Sequence, residues 1–159
     1  MPIQIIDDVL LGQLENKAVK NSRLRVNHNF HKSMKDNLHR FLNVIARNSY
    51  IRPHRHLSIP KDEAFILLKG ELAYCIFDNN GNITQVAKLD GRHTIGVDIS
   101  AGEWHSLVCL SETCVCYEVK PGPYQKATDK DFAPWAPQEN TPEASAYLEE
   151  LTEQVLRLL

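Results

Sequence analysis

Between Phe41 and Val119 the chain repeats short apolar runs, each closed by a turn signal. Strand-like runs lie near 41–47, 49–56, 63–69, 71–77, 82–88, 93–99, 104–110 and 113–119. Between them stand Ser58-Ile59-Pro60-Lys61-Asp62, Lys69-Gly70, Asp78-Asn79-Asn80-Gly81, Asp90-Gly91, Ala101-Gly102 and Ser111-Glu112. Strands at spacings of about 8–12 residues, with turns this frequent, predict an all-β sandwich or small barrel. The connections are too short for crossover helices, which excludes a parallel α/β sheet.

The flanks have other grammar. In residues 1–40, Asp7 or Asp8 can cap a helix carrying Leu10, Leu14 and Ala18 on one face, and Ser33-x-x-Asp36 resembles a capping box for a short second helix. Residues 121–140 hold four prolines and no periodicity, which predicts a tail wrapping the surface with Phe132 and Trp135 as anchors. Thr141-Pro142-Glu143 opens a C-terminal helix with an apolar stripe of Tyr147/Leu148, Leu151, Val155 and Leu158/Leu159. The division expected is an N-terminal arm (1–40), a β domain (41–120), the Pro-rich tail (121–140) and a helix (141–159). At 159 residues one domain is expected.

Charge narrows the function. The net charge is −2, which argues against general nucleic-acid binding. Its distribution is uneven: from Asn16 to His56 there are ten Lys/Arg against Asp36 alone, +9, leaving −11 for the rest. This basic stretch either meets an anionic ligand or pairs with the acidic remainder. No apolar run approaches the ~20 residues that span a bilayer, and the N-terminus has no basic region of the signal-peptide kind, so a cytoplasmic protein is expected. Cys75, Cys109, Cys114 and Cys116 form no C-x-x-C pair and read as free core thiols.

The chemistry concentrates in Tyr50-Ile51-Arg52-Pro53-His54-Arg55-His56. Residues two apart share a strand face, so His54 and His56 project together, with Arg52 and Tyr50 beside them on a regular strand. Two such imidazoles can hold one metal ion. Glu63 opens the next run and His105 a late one, after Gly102. Three histidines and a carboxylate suit one divalent transition metal: Fe, Mn, Ni or Zn. Arg47 and Arg52 are candidate substrate-binding residues, since a guanidinium holds a carboxylate or phosphate in a fork. Tyr50 is the candidate proton-transfer residue. Trp104 points away from His105, into core or subunit packing. His28, His31 and His39 read as solvated.

These segments resemble the two cupin motifs, the first through His54, His56, Glu63 and Gly70, the second through Gly102 and His105. The chain also resembles the WbuC family of cupin-fold metalloproteins found among surface-polysaccharide (O-antigen) genes. That likeness rests on the Tyr50–His56 stretch, Gly70-Glu71-Leu72, Phe77-Asp78, Ala101-Gly102-x-Trp104-His105 and Phe132-Ala133-Pro134-Trp135-Ala136-Pro137. The resemblance implies a small cupin (double-stranded β-helix, jelly-roll) barrel, a bound metal and a sugar or sugar-phosphate ligand. It fits a metal-dependent sugar isomerase or epimerase. The alternatives are a non-catalytic metal-dependent sugar or small-anion binding module, or an iron-dependent dioxygenase. A homodimer is expected from the chain ends. The chain departs from the motif in having six residues between His56 and Glu63, where three or four are usual, so Asp62 is a stand-in ligand. Ser100 and Cys109 replace the motif's Pro and Asn.

Overall fold

Alternation on the strands sorts side chains into three separate apolar layers. The computed structural model describes residues 3–159. Its elements are α1 (Asp8–Lys20), β1 (Arg25–Asn29), β2 (Leu38–Ala46), β3 (His54–Arg55), β4 (Glu63–Lys69), β5 (Leu72–Phe77), β6 (Ile83–Leu89), β7 (Gly96–Ile99), β8 (Trp104–Cys109), β9 (Thr113–Pro121), β10 (Asp131–Phe132) and α2 (Pro142–Leu158). They form two five-stranded sheets, ordered β1-β2-β9-β4-β7 and β10-β3-β8-β5-β6, with every pairing antiparallel. The fold is the two-sheet, cupin-like arrangement expected. It differs from the expectation in one respect: the sheets face each other without closing into a barrel.

The central layer joins the sheets. Ile45, Phe65, Leu67 and Cys116 from the first meet Leu72, Tyr74, Leu89 and Leu107 from the second. The odd-even switch sends their neighbours outward. Ala73, Cys75, Phe77, Trp104 and Val108 pack under Ala144, Leu148, Leu151 and Val155 of α2. Leu42, Val44 and Val115 pack under Leu11, Leu14 and Ala18 of α1. Each sheet thus buries both faces, one on its partner and one on a helix. All four cysteines are free and buried.

Both helices start where the capping signals place them. Asp7 accepts from the Leu10 N–H at 2.9 Å and so caps α1. Thr141 stands at the N-cap of α2, but its hydroxyl donates to the Gln138 carbonyl rather than capping. Ser33–Asp36 opens no helix. Asp36 instead accepts from the Lys32 N–H, and Ser33 from the Lys35 N–H, which closes a tight turn. Strand β1 lies within the stretch read as a helical arm; its sequence, RVNHN, has too little apolar character to announce it. The expected 49–56 strand shrinks to two residues, because Pro53 has no N–H to give a ladder. Gly70 makes the β4–β5 turn at φ 81°, where a Cβ would lie 2.2 Å from the Thr113 carbonyl.

The Pro-rich segment, read as a tail without periodicity, adds the short strand β10 beside β3. Trp135 packs on Phe77 and Trp104, while Phe132 stays half exposed beneath the Arg52 guanidinium. Glu139 ties this segment to β1 through Arg25 (2.6 Å) and Arg23 (3.0 Å). Among the described residues no helix is long and apolar enough to cross a membrane.

Leu151 and Leu156 sit on the same helix, one 4% exposed and the other 60%. Leu151→Ala should cost about 2–5 kcal/mol in urea unfolding, and Leu156→Ala no more than about 0.5 kcal/mol. A second expectation concerns Glu139. Burial alone would raise its pKa, but the Arg25 and Arg23 guanidinium groups hold it below the ordinary value. A depressed folded pKa means the contribution is complete above the unfolded pKa and fades as pH falls through the folded one. Urea midpoints of Glu139→Gln should therefore lie below wild type at neutral pH and converge with it in acid.

Candidate metal centre

Three of the four candidate ligands come from the second sheet or its margin, and one comes from the first. His54 on β3 pairs directly with His105 on β8. His56 follows β3, its carbonyl accepting from the Gly102 N–H at 3.1 Å. Glu63 opens β4 in the opposite sheet. The six residues between His56 and Glu63 carry the chain from one sheet to the other, which is why the spacing exceeds the motif. Asp62 does not join them, since its carboxylate accepts from the Ala101 N–H at 2.8 Å. The donor atoms of His54, His56, Glu63 and His105 all lie within 4.8 Å of one another, and all four residues are buried.

Backbone carbonyls decide the imidazole tautomers. A carbonyl only accepts, so each Nδ1 facing one must carry the proton. His54 Nδ1 donates to Arg52 O (2.9 Å), His105 Nδ1 to Glu103 O (2.8 Å) and His56 Nδ1 to Asp129 O. This leaves each Nε2 lone pair free, as in histidines that bind metal through Nε2. His56 Nε2 and His105 Nε2 are buried with no hydrogen-bond partner. They nonetheless face Glu63, Nε2 of His56 lying 3.1 Å from Oε1 and Nε2 of His105 3.2 Å from Oε2. Lone pair against carboxylate is repulsive unless a cation stands between them.

Spacing supports the same fit. An imidazole bound at about 2.1 Å through Nε2 puts its ring centre roughly 3.2 Å from the ion. Two such rings then lie about 4.5 Å apart at a right angle and about 5.5 Å apart at 120°. The observed centroid separations are 4.4 Å (His54–His105), 5.3 Å (His54–His56) and 5.7 Å (His56–His105). The residues present can hold a divalent ion.

The surrounding charges keep the donors in the needed state. Burial would raise the Glu63 pKa, but the Lys120 ammonium beside it holds it well below the usual carboxylate range. Lys120 bridges Glu63 (2.9 Å) and Glu118 (3.1 Å), and Glu118 also accepts from Asn43 Nδ2. Burial, with Lys130 and His105 adding to it, pushes His54 well below its ordinary value, so its ring is neutral. Asp129 is held in turn by Lys61 at 2.8 Å, which steadies the carbonyl that orients His56.

A cavity of about 680 Å³ opens beside the cluster and is lined by His54, Glu63 and His105. Arg52 lines it too; its Nη2 donates to Ala133 O at 2.8 Å. The structure does not bring Tyr50 or Arg47 there. The Tyr50 hydroxyl donates to Pro137 O at 2.9 Å, and its ring packs in the layer under α2, lining a second cavity of about 630 Å³. Pro53 interrupts the strand, so the period-two alignment of Tyr50 with His54 fails. Arg47 donates to the carbonyls of Ser111 and Leu110, at a distant turn. Trp104 faces away from His105 into the layer under α2.

Several contributors escaped sequence reasoning. Glu118 and Lys120 share the inward face of β9 with Cys114 and Cys116, and charges on an apolar strand face were the available signal. His31 and His39, read as solvated, are buried (7% and 2% exposed) and stacked at 4.2 Å. Lys130, in the Pro-rich segment, gave no motif signal.

Solved structures with similar folds include the capsular polysaccharide assembling protein CapF from Staphylococcus aureus. It is 18% identical, with a TM-score of 0.54 over 68% of this chain. The matching region spans about a third of CapF, 31% of its length. CapF is also known in complex with the inhibitor 3-isopropenyl-tropolone. Over more of their own length, the Bacillus halodurans protein BH2720 matches at 16% identity and TM-score 0.52 (78% of this chain, 85% of that one). The Thermus thermophilus protein TT1209 matches at 16% and 0.53 (75% and 97%). At these identities the likeness is one of fold. No curated protein matches. Residues 6–89, more than half of the chain, match the family model described as a domain of unknown function (DUF6016), and the protein belongs to that family.

Proposed function

We propose that this protein is a metal-dependent enzyme of the cupin type, isomerising or epimerising a sugar or sugar phosphate in surface-polysaccharide metabolism. The observation that carries the reading is the set of three Nδ1-protonated histidines and one ionised glutamate converging beside a ligand-sized cavity. The fold shared with CapF, a capsular polysaccharide assembling protein, supports the pathway, as does the sequence resemblance to the WbuC family. A divalent ion held there supplies a Lewis acid that polarises a carbonyl. The chain's own residues do the rest. Lys120 offsets the Glu63 charge, Asp129 O and Arg52 O orient two of the imidazoles, and Arg52 offers a guanidinium to the ligand.

One observation favours a second reading. With Tyr50 committed to Pro137, the proton-transfer residue expected from sequence lies outside the cavity. A metal-dependent module that binds a sugar without turning it over needs no such group. Turnover of a sugar or sugar phosphate by metal-loaded protein, lost in His54→Ala, supports the enzyme. Saturable binding without product supports the module.

Elemental analysis of protein purified without added metal should find about one transition-metal ion per chain, absent in His54→Ala/His56→Ala. A divalent ion at 100 times its Kd should add about 2.7 kcal/mol to wild-type stability and nothing to the double variant. Equal metal content in both proteins overturns the ligand set.

A further inference from the structure

Among the unpartnered buried polar groups lining the cavity, Arg52 Nε and His31 Nε2 are donors, while Asn43 Oδ1 and His105 Nε2 are acceptors. Arg52 Nε is buried and has no acceptor. His31 Nε2 is likewise buried and unpartnered. His31 Nδ1 lies 3.1 Å from Arg40 O and 3.2 Å from Arg40 N; the carbonyl already accepts from the Phe30 N–H at 2.8 Å, whereas the Arg40 N–H donates to Nδ1. The tautomer that satisfies both backbone groups therefore has Nδ1 accepting, which leaves Nε2–H as a donor. Lys130 lines the same cavity and makes no hydrogen bond or ion pair among the described residues.

The nearby carboxylates are already spent. Glu63 and Glu118 share Lys120, Asp129 holds Lys61, and Glu139 holds Arg23 and Arg25. The residue after Lys130, Asp131, accepts from Ser58 and the Leu57 N–H. Burial, with the Lys120 charge added, pushes the Lys130 ammonium down to about 8 although Glu63, Glu118 and Asp129 pull the other way. A half-buried ammonium that lines a cavity without an ion-pair partner of its own leaves its charge for an anion there. Asn43 Oδ1, also unpartnered and lining the cavity, offers one acceptor for a ligand hydroxyl.

We propose that Lys130, with Arg52 and His31, forms an oxyanion-binding subsite for a carboxylate or phosphate group of the ligand. This rests on reading the cavity as the ligand site, but it does not depend on the metal. An ammonium supplies a point charge, a guanidinium Nε–H and an imidazole Nε2–H supply direction, and all three are donors. The ligand is thus an acidic, hydroxyl-bearing molecule, its anionic group held by these residues.

The test uses metal-stripped protein titrated with inorganic phosphate and, separately, with acetate, followed by calorimetry and by NMR of the histidine side chains. At least one anion should saturate in wild type; which one does distinguishes phosphate from carboxylate recognition. Lys130→Gln should weaken it by about tenfold or more, the scale of one lost charge-assisted hydrogen bond. Lys130→Arg should keep binding within about threefold. In wild type the His31 imidazole resonance should move with the same midpoint, a readout that needs no variant to fold. Unchanged affinity in Lys130→Gln, a stationary His31 resonance or saturation by neither anion overturns the subsite. Loss of metal binding with anion binding retained overturns the metal reading and leaves the subsite standing.

Discussion

A buried carboxylate facing two imidazole lone pairs is the constraint around which this molecule is organised. Glu63 is 3% exposed, and His56 Nε2 and His105 Nε2 lie within hydrogen-bonding distance of its oxygens without a proton to share. Desolvating such a group is tolerable only with compensating charge. Lys120 provides part of it from the same sheet. The remaining position, among four converging donors, suits a divalent cation. Because Glu63 belongs to one sheet and the histidines to the other, the compensation also couples the two sheets across the open end of the sandwich.

The layering explains how so polar a cluster coexists with a stable core. Each sheet has an outer face covered by a helix and an inner face that is apolar towards one end and polar towards the other. On β9 the inward positions run Cys114, Cys116, Glu118, Lys120, so a single strand passes from core to site in four alternate residues. On β8 the inward positions run from His105 through Leu107 to Cys109, while Trp104 and Val108 turn to α2. The apolar end carries the hydrophobic stabilisation and leaves the polar end free to meet the demands of ligand geometry.

Much of this was legible in the chain itself. The turn-punctuated runs give the strands, and His54, His56 and His105 stand out because histidine at period two on apolar strands has few structural uses. Asp7 announces α1 through short-range capping chemistry. What stayed hidden depends on long-range register or on backbone atoms. Strand β1 is nearly all polar and is recruited by its ladder with β2. Tyr50 carried a strand signal that Pro53 cancels. The burial of His31 and His39 arises only when the turn at Ser33–Asp36 brings them face to face.

The partner of His56 has one further implication. The carbonyl that sets its tautomer belongs to Asp129, some seventy residues further along the chain. During synthesis, both sheets except β10 are fully translated while this segment is still being added. At that stage a nascent chain already contains all three histidines and Glu63, yet the ring of His56 is free to choose either nitrogen. The full set of oriented donors is therefore complete only in chains whose tail has docked.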